Sequence, residues 1–205
     1  MESTGVYWKP VYKILECPDM KVWIVNARHI KYVPGHKTDK KDSAWICKLL
    51  LAGLLKPSYI PEREQRELRD LTRYRNKLIQ HVSSEKNRIV RILEDCNIKL
   101  SSVVCSLDGV VANKLIDMLI DKGHVTMDDI TCIYHKKLEA SPELLYQACE
   151  GFIEPHHIYM LQTIRKDMEQ TKAIIADLTC RIKEVLSPYE NVMELLQKIP
   201  GLSRK

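Results

Sequence analysis

The chain has 205 residues, with 32 Lys and Arg against 27 Asp and Glu, a formal charge of +5, 45% apolar and 29% charged residues. That length suits one ordinary domain or two small ones, and the composition excludes a disordered or fibrous chain. No uninterrupted apolar span reaches the ~20 residues of a membrane helix, so no membrane partner is expected. The mild positive excess suits a polyanionic partner without establishing one.

One Phe and seven Gly beside long Leu/Ile/Lys/Glu-rich stretches favour helix. The seven cysteines fall at 17, 47, 96, 105, 132, 149 and 180, with no Cys-x-x-Cys pair. A dispersed, odd set reads as reduced thiols, and Met1-Glu2-Ser3 opens no signal segment, so a cytoplasmic setting is expected. Cys132, His135, Cys149, His156 and His157 are potential zinc ligands, but their spacing matches no common finger.

In chain order, Val6 to Leu15 carries an apolar helical face, with Pro10 in its first turns, where proline is tolerated. Val22-Trp23-Ile24-Val25 is a short β-branched run that reads as a buried strand. A short helix is expected over 26–32 and a turn at Pro34-Gly35. Lys37-Thr38-Asp39-Lys40-Lys41-Asp42 then precedes an apolar run ending near Gly53, with Thr38 as a natural N-cap. Asp39 and Asp42 share one face of that helix's first turn. Either both simply favour the positive end of the helix dipole, or they hold a divalent cation between them.

Two long helices follow. Over 62–97 the residues Leu68, Leu71, Leu78, Val82, Ile89, Ile92 and Cys96 step by three and four, with Arg75 and Glu85 as polar entries on the same seam. Over 154–186 the pattern repeats as Leu161, Ile164, Met168, Thr171, Ile175, Leu178, Ile182 and Val185, and Pro188 ends it. Such seams pack on each other, within the chain or between chains. Residues 100–150 hold shorter helical patches, one opened by Ser141-Pro142 as N-cap and first helical residue. The chain closes on a helix and the Pro200-Gly201 turn.

Arg66, Arg69, Arg73 and Lys77 recur at three- and four-residue steps beside Tyr74. A stripe of that kind can track phosphates; it can also be a solvated face with internal pairs such as Glu62–Arg66 and Asp70–Arg73.

Taken together, these stretches resemble the DEDD transposases of the insertion-sequence-one-ten family, relatives of the Piv-type DNA invertases. The resemblance rests on Met1 to Gly5 with Tyr7 to Pro10, on Val25 to His29, on Lys37 to Asp42, on Arg66 to Arg75 and on Ile199-Pro200-Gly201. It implies a RuvC-like domain of ribonuclease-H fold, a helical coiled-coil arm and a C-terminal domain with a nucleophilic serine. The expected fold is thus mainly α with an incomplete α/β part. Residues 1–56 would be a partial RuvC-like domain and 57–190 a long antiparallel helical arm with a small insert over 100–150. Residues 191–205 would start the C-terminal domain.

By resemblance, Glu2, Asp39 and Asp42 take three of the family's acidic positions as catalytic ligands of Mg²⁺ or Mn²⁺. Arg66, Arg69, Arg73 and Lys77 would contact nucleic acid. DNA, a structured guide RNA and further copies of the chain, joined through the arm, are the implied partners. The family's first acidic residue would precede Met1 and its serine would follow Gly201, where Ser203 is no substitute. The expectation is therefore a chain truncated at both ends and inactive as it stands. The alternative is a nucleic-acid-binding or oligomerisation module without catalysis.

Overall fold

The computed structural model describes residues 1–17, 19–26, 39–134 and 140–201, with the side chains of residues 39–42 left out. Nine α-helices lie among them: α1 Trp8–Leu15, α2 Asp39–Leu51, α3 Arg63–Asp95, α4 Leu100–Val103, α5 Val110–Lys122, α6 Met127–Ile133, α7 Pro142–Cys149, α8 Pro155–Leu186 and α9 Glu190–Gln197. The protein is therefore mainly helical. It divides into two compact units, Met1–Arg66 and Glu67–Lys205. Among the described residues no helix is long and apolar enough to cross a membrane.

In the first unit the expected strand at Val22–Val25 is corrected. No regular strand occurs among the described residues. Instead Val25 makes one parallel bridge to Glu2 and one antiparallel bridge to Pro57. Its N–H donates to Met1 O and its carbonyl accepts from Ser3 N–H, both at 2.9 Å. The Ser58 N–H reaches Ile24 O at 2.7 Å. The β-branched run does bury itself, with Ile24 and Val25 at 2% and 1% exposure. Among the described residues it has no neighbour that stays alongside for more than a residue, and a ladder requires one.

Helix α2 stops where a left-handed residue is cheap: Gly53 has φ +69°, and Leu54 N–H donates to Leu49 O at 3.0 Å. The short helix expected over 26–32, the Pro34-Gly35 turn and the Thr38 cap lie outside the described residues, apart from Asn26.

The second unit is built on α3 and α8, of 33 and 32 residues, each about 50 Å long at ~1.5 Å per residue. All eight seam positions of α3, Cys96 just past its end, and all eight of α8 are buried or half-buried. Contacts between the two helices match early residues of one with late residues of the other. Arg75 Nε donates to Thr179 Oγ1 at 2.8 Å, His81 Nε2 lies 2.8 Å from Asp167 Oδ2, and His157 Nε2 lies 3.2 Å from Asp95 Oδ2. The helices therefore run antiparallel.

One end of the pair is thickened by α4 to α7. Leu93, Ile98, Leu100, Leu115, Ile116, Leu119, Ile130, Leu145 and Leu161 all sit at 2% exposure or less in one cluster. Burying apolar surface stabilises by ~25 cal/mol per Å², so this cluster contributes to the unit's cohesion. Toward the other end the seam is only half-buried, through Leu68, Leu71, Ile182 and Val185.

The local signals that set these elements are chemical. Asn97, at φ +57°, closes α3 in a left-handed conformation, with Ile98 N–H bonded to Leu93 O at 2.8 Å. Thr126 caps α6 in a reciprocal box with Asp129. Ser141 accepts from Leu144 N–H at 3.3 Å, with Pro142 as the first residue of α7. A 3₁₀ turn, Ser187–Tyr189, follows α8 and contains Pro188.

Candidate metal-binding and nucleic-acid-binding residues

Glu2 stands in the segment that bridges to Val25 and is half-buried. Its Oε1 accepts a hydrogen bond from Thr4 Oγ1 at 2.8 Å. The Met1 amino group donates to Trp23 O at 2.6 Å, which fixes the backbone on the other side. A carboxylate so placed has lone pairs to offer a cation. Asp39 and Asp42 occupy the first and fourth positions of α2. They lie three residues apart in the first turn, where backbone N–H groups carry the positive end of the dipole. Their side chains lie outside the described structure, so the three carboxylates are placed by element only. All three belong to the same unit. An all-oxygen donor set fits Mg²⁺ or Mn²⁺ in kind, and fits Zn²⁺ less well.

The basic stripe lies along the first turns of α3. At 100° per residue, positions 66, 69, 73 and 77 fall within one narrow arc of the helix. Arg69, Arg73 and Lys77 are exposed. Arg66 differs. Its guanidinium grips Glu16 with both terminal nitrogens, at 2.7 and 3.3 Å, and lies 5.1 Å from the Tyr12 ring centroid. Only 14% of that side chain is exposed. The Arg66 guanidinium holds the Glu16 carboxyl below its usual range, and the same pair raises Arg66 further. A bidentate Arg–carboxylate pair is the geometry that also binds phosphate, so Glu16 occupies the fork a phosphate would use.

The chain's sequence pattern carries no sign of the Glu16–Tyr12–Arg66 cluster, since Arg66 and Glu16 are 50 residues apart. Of the scattered cysteines and histidines, Cys149 is buried, Cys132 and His156 are exposed, His157 is paired with Asp95, and His135 lies outside the described residues.

No curated protein and no solved structure matches the chain. Residues 1–98 match the family model of the IS110-type DEDD transposases, described as Transposase. The matched stretch contains Glu2, Asp39, Asp42 and all four cations of the stripe. Over residues 1–98, just under half of its length, the chain is similar to the IS110-type DEDD transposase family.

Proposed function

We propose that the chain acts in DNA transposition and recombination as a metal-dependent nucleic-acid-binding protein. Its N-terminal unit is a RuvC-like part in which Glu2, Asp39 and Asp42 hold Mg²⁺ or Mn²⁺. Bound there, such an ion would neutralise phosphate oxygens and activate an attacking oxygen. Arg69, Arg73 and Lys77 contact the phosphate backbone of DNA, or of a structured guide RNA as the family implies. Arg66 joins them when phosphate displaces Glu16. The antiparallel α3–α8 pair serves as a coiled-coil arm, and its half-buried end as the surface for self-association.

The observation that carries this reading is the family match, which takes in both the Lys37–Asp42 block and the Arg66–Arg75 block in one continuous stretch. The exposure of three cations on one arc of one helix supports the binding part independently.

The test is nucleic-acid binding across a salt series, with and without Mg²⁺, on duplex DNA and on structured RNA. Wild type is compared with the Arg69→Ala/Arg73→Ala/Lys77→Ala variant. Each phosphate contact contributes about −0.9 to the slope of log K against log salt on duplex DNA, so the triple variant should flatten that slope by about 2 to 3. An unchanged slope would refute the stripe as the binding face. A second reading, a binding module without catalysis, rests on the exposed stripe alone, which does not need the acidic residues. Salt-sensitive binding that ignores Mg²⁺ and survives Asp39→Asn and Asp42→Asn would select it.

A further inference from the structure

A different set of metal-type donors meets between α3 and α8. His81 and Glu85 are four residues apart on α3, so they share a face, and Asp167 faces them from α8. One donor atom from each lies within 4.8 Å of the other two. Asp167 Oδ2 is 2.8 Å from His81 Nε2, and Glu85 Oε1 is 3.8 Å from His81 Nδ1. These two approaches use opposite nitrogens of the ring; a tetrahedral ion takes one of them and holds its donors about 3.3–3.4 Å apart, so the set within 4.8 Å closes on an ion by side-chain rotation.

We infer that His81, Glu85 and Asp167 bind a first-row divalent transition metal such as Zn²⁺, which cross-links the two long helices. Three features favour this over a chance meeting of polar side chains. First, Glu85 is a carboxylate at a seam position, with its side chain only 4% exposed and Val82 and Ile89 buried on the same seam. Carboxylates at such positions need a strong partner. Its cation here is Arg88, at 3.0 Å, which is itself 64% exposed. Second, the donors are one imidazole nitrogen and two carboxylate oxygens, a set suited to Zn²⁺ rather than to Mg²⁺ or Ca²⁺. Third, one side of the cluster is open, since the His81 and Asp167 side chains are 44% and 47% exposed. An ion can enter there and water can complete its shell.

Without the ion, the His81–Asp167 hydrogen bond closes the cluster. With it, one ring nitrogen offers its lone pair to the metal in place of that contact. The inference does not rest on the transposase reading, whose metal residues are all oxygen donors of the other unit.

The experiment is calorimetric titration of the full chain with Zn²⁺, after alkylation of the exposed thiols of Cys17, Cys47, Cys105, Cys132 and Cys180. One ion per chain is expected, together with a thermal midpoint that rises with added Zn²⁺. His81→Ala and Asp167→Asn should each weaken binding more than about tenfold, the loss that even an outer-shell change can produce. Both sites are partly exposed, so circular dichroism of both variants should stay that of wild type. Zn²⁺ binding equal in wild type and in both variants would overturn the inference, and so would the absence of Zn²⁺ uptake by folded wild type.

Discussion

Gly151 gives the sharpest test of how the helical unit is closed. It lies between α7 and α8, where the chain doubles back against the end of α3. There Phe152 N–H donates to Cys96 O at 2.8 Å, and Lys99 N–H to Ala148 O at 2.8 Å. A β-carbon at position 151 would sit 2.3 Å from Cys96 O, 2.6 Å from Ile98 Cγ1 and 3.3 Å from the Asn97 carbonyl carbon. Cys96 and Ile98 are each 1% exposed, so neither wall can swing aside.

Forcing atoms into a packed site costs about 1–3 kcal/mol. Pulling Phe152 off Cys96 O adds the net worth of one hydrogen bond, about 0.5–1.5 kcal/mol. Stiffening the unfolded chain returns about 0.4–1 kcal/mol. Gly151→Ala should therefore destabilise the unit by about 2–3 kcal/mol, a midpoint shift on the order of 5–10 °C for a unit of this size. Urea unfolding followed by circular dichroism reads it directly. A variant within about 0.5 kcal/mol of wild type, the scatter of ordinary surface changes, would mean that the 148–152 segment does not press on the end of α3 as described.

Two further predictions concern thiols and acid. In the native protein the thiols of Cys17, Cys47, Cys105, Cys132 and Cys180 are exposed, while Cys96 and Cys149 are buried. Burial pushes the Cys149 thiol up to about 11 and raises Cys96 as well. A thiol-reactive chromophore at pH 8 should thus count five fast groups, and the remaining two only on unfolding; seven fast groups would show the core to be open. Asp129 is held well below the usual carboxylate range by the Lys122 ammonium, then by the Thr126 hydroxyl and N–H. A depressed native value means stabilisation that is complete above the unfolded carboxyl's pKa and drains away as pH falls through the native one. Asp129→Asn should therefore flatten the acid limb of the urea midpoint against pH. An unchanged acid limb would refute the role given to that pair.

The seam was the most legible part of the sequence. Its three-and-four step is a direct consequence of helix geometry, and every residue it names on α3 and α8 turns inward. Turn and cap chemistry was legible at Gly53, Asn97, Ser141 and Pro188 for the same reason, since each is a local conformational preference. The Val22–Val25 run misled because β-branching records a fit to a pleated, half-buried surface, while a ladder depends on what lies alongside. Arg66 was legible as part of a cationic arc, but its capture by Glu16 is a tertiary contact with no local signal. The His81–Asp167 meeting likewise requires the register of α3 against α8, which a seam pattern leaves open. The proposed metal-binding role of Glu2, Asp39 and Asp42 comes from the family's motif alone, since two Asp in a first helical turn are equally at home as plain helix starters.

The central claim is that a cationic arc on α3 binds nucleic acid. Its most direct measurement is the salt slope of duplex DNA binding for wild type and for the Arg69→Ala/Arg73→Ala/Lys77→Ala variant. The account predicts weaker binding and a slope shallower by about 2 to 3 in the variant. Equal affinity and equal slope in the two proteins would contradict it.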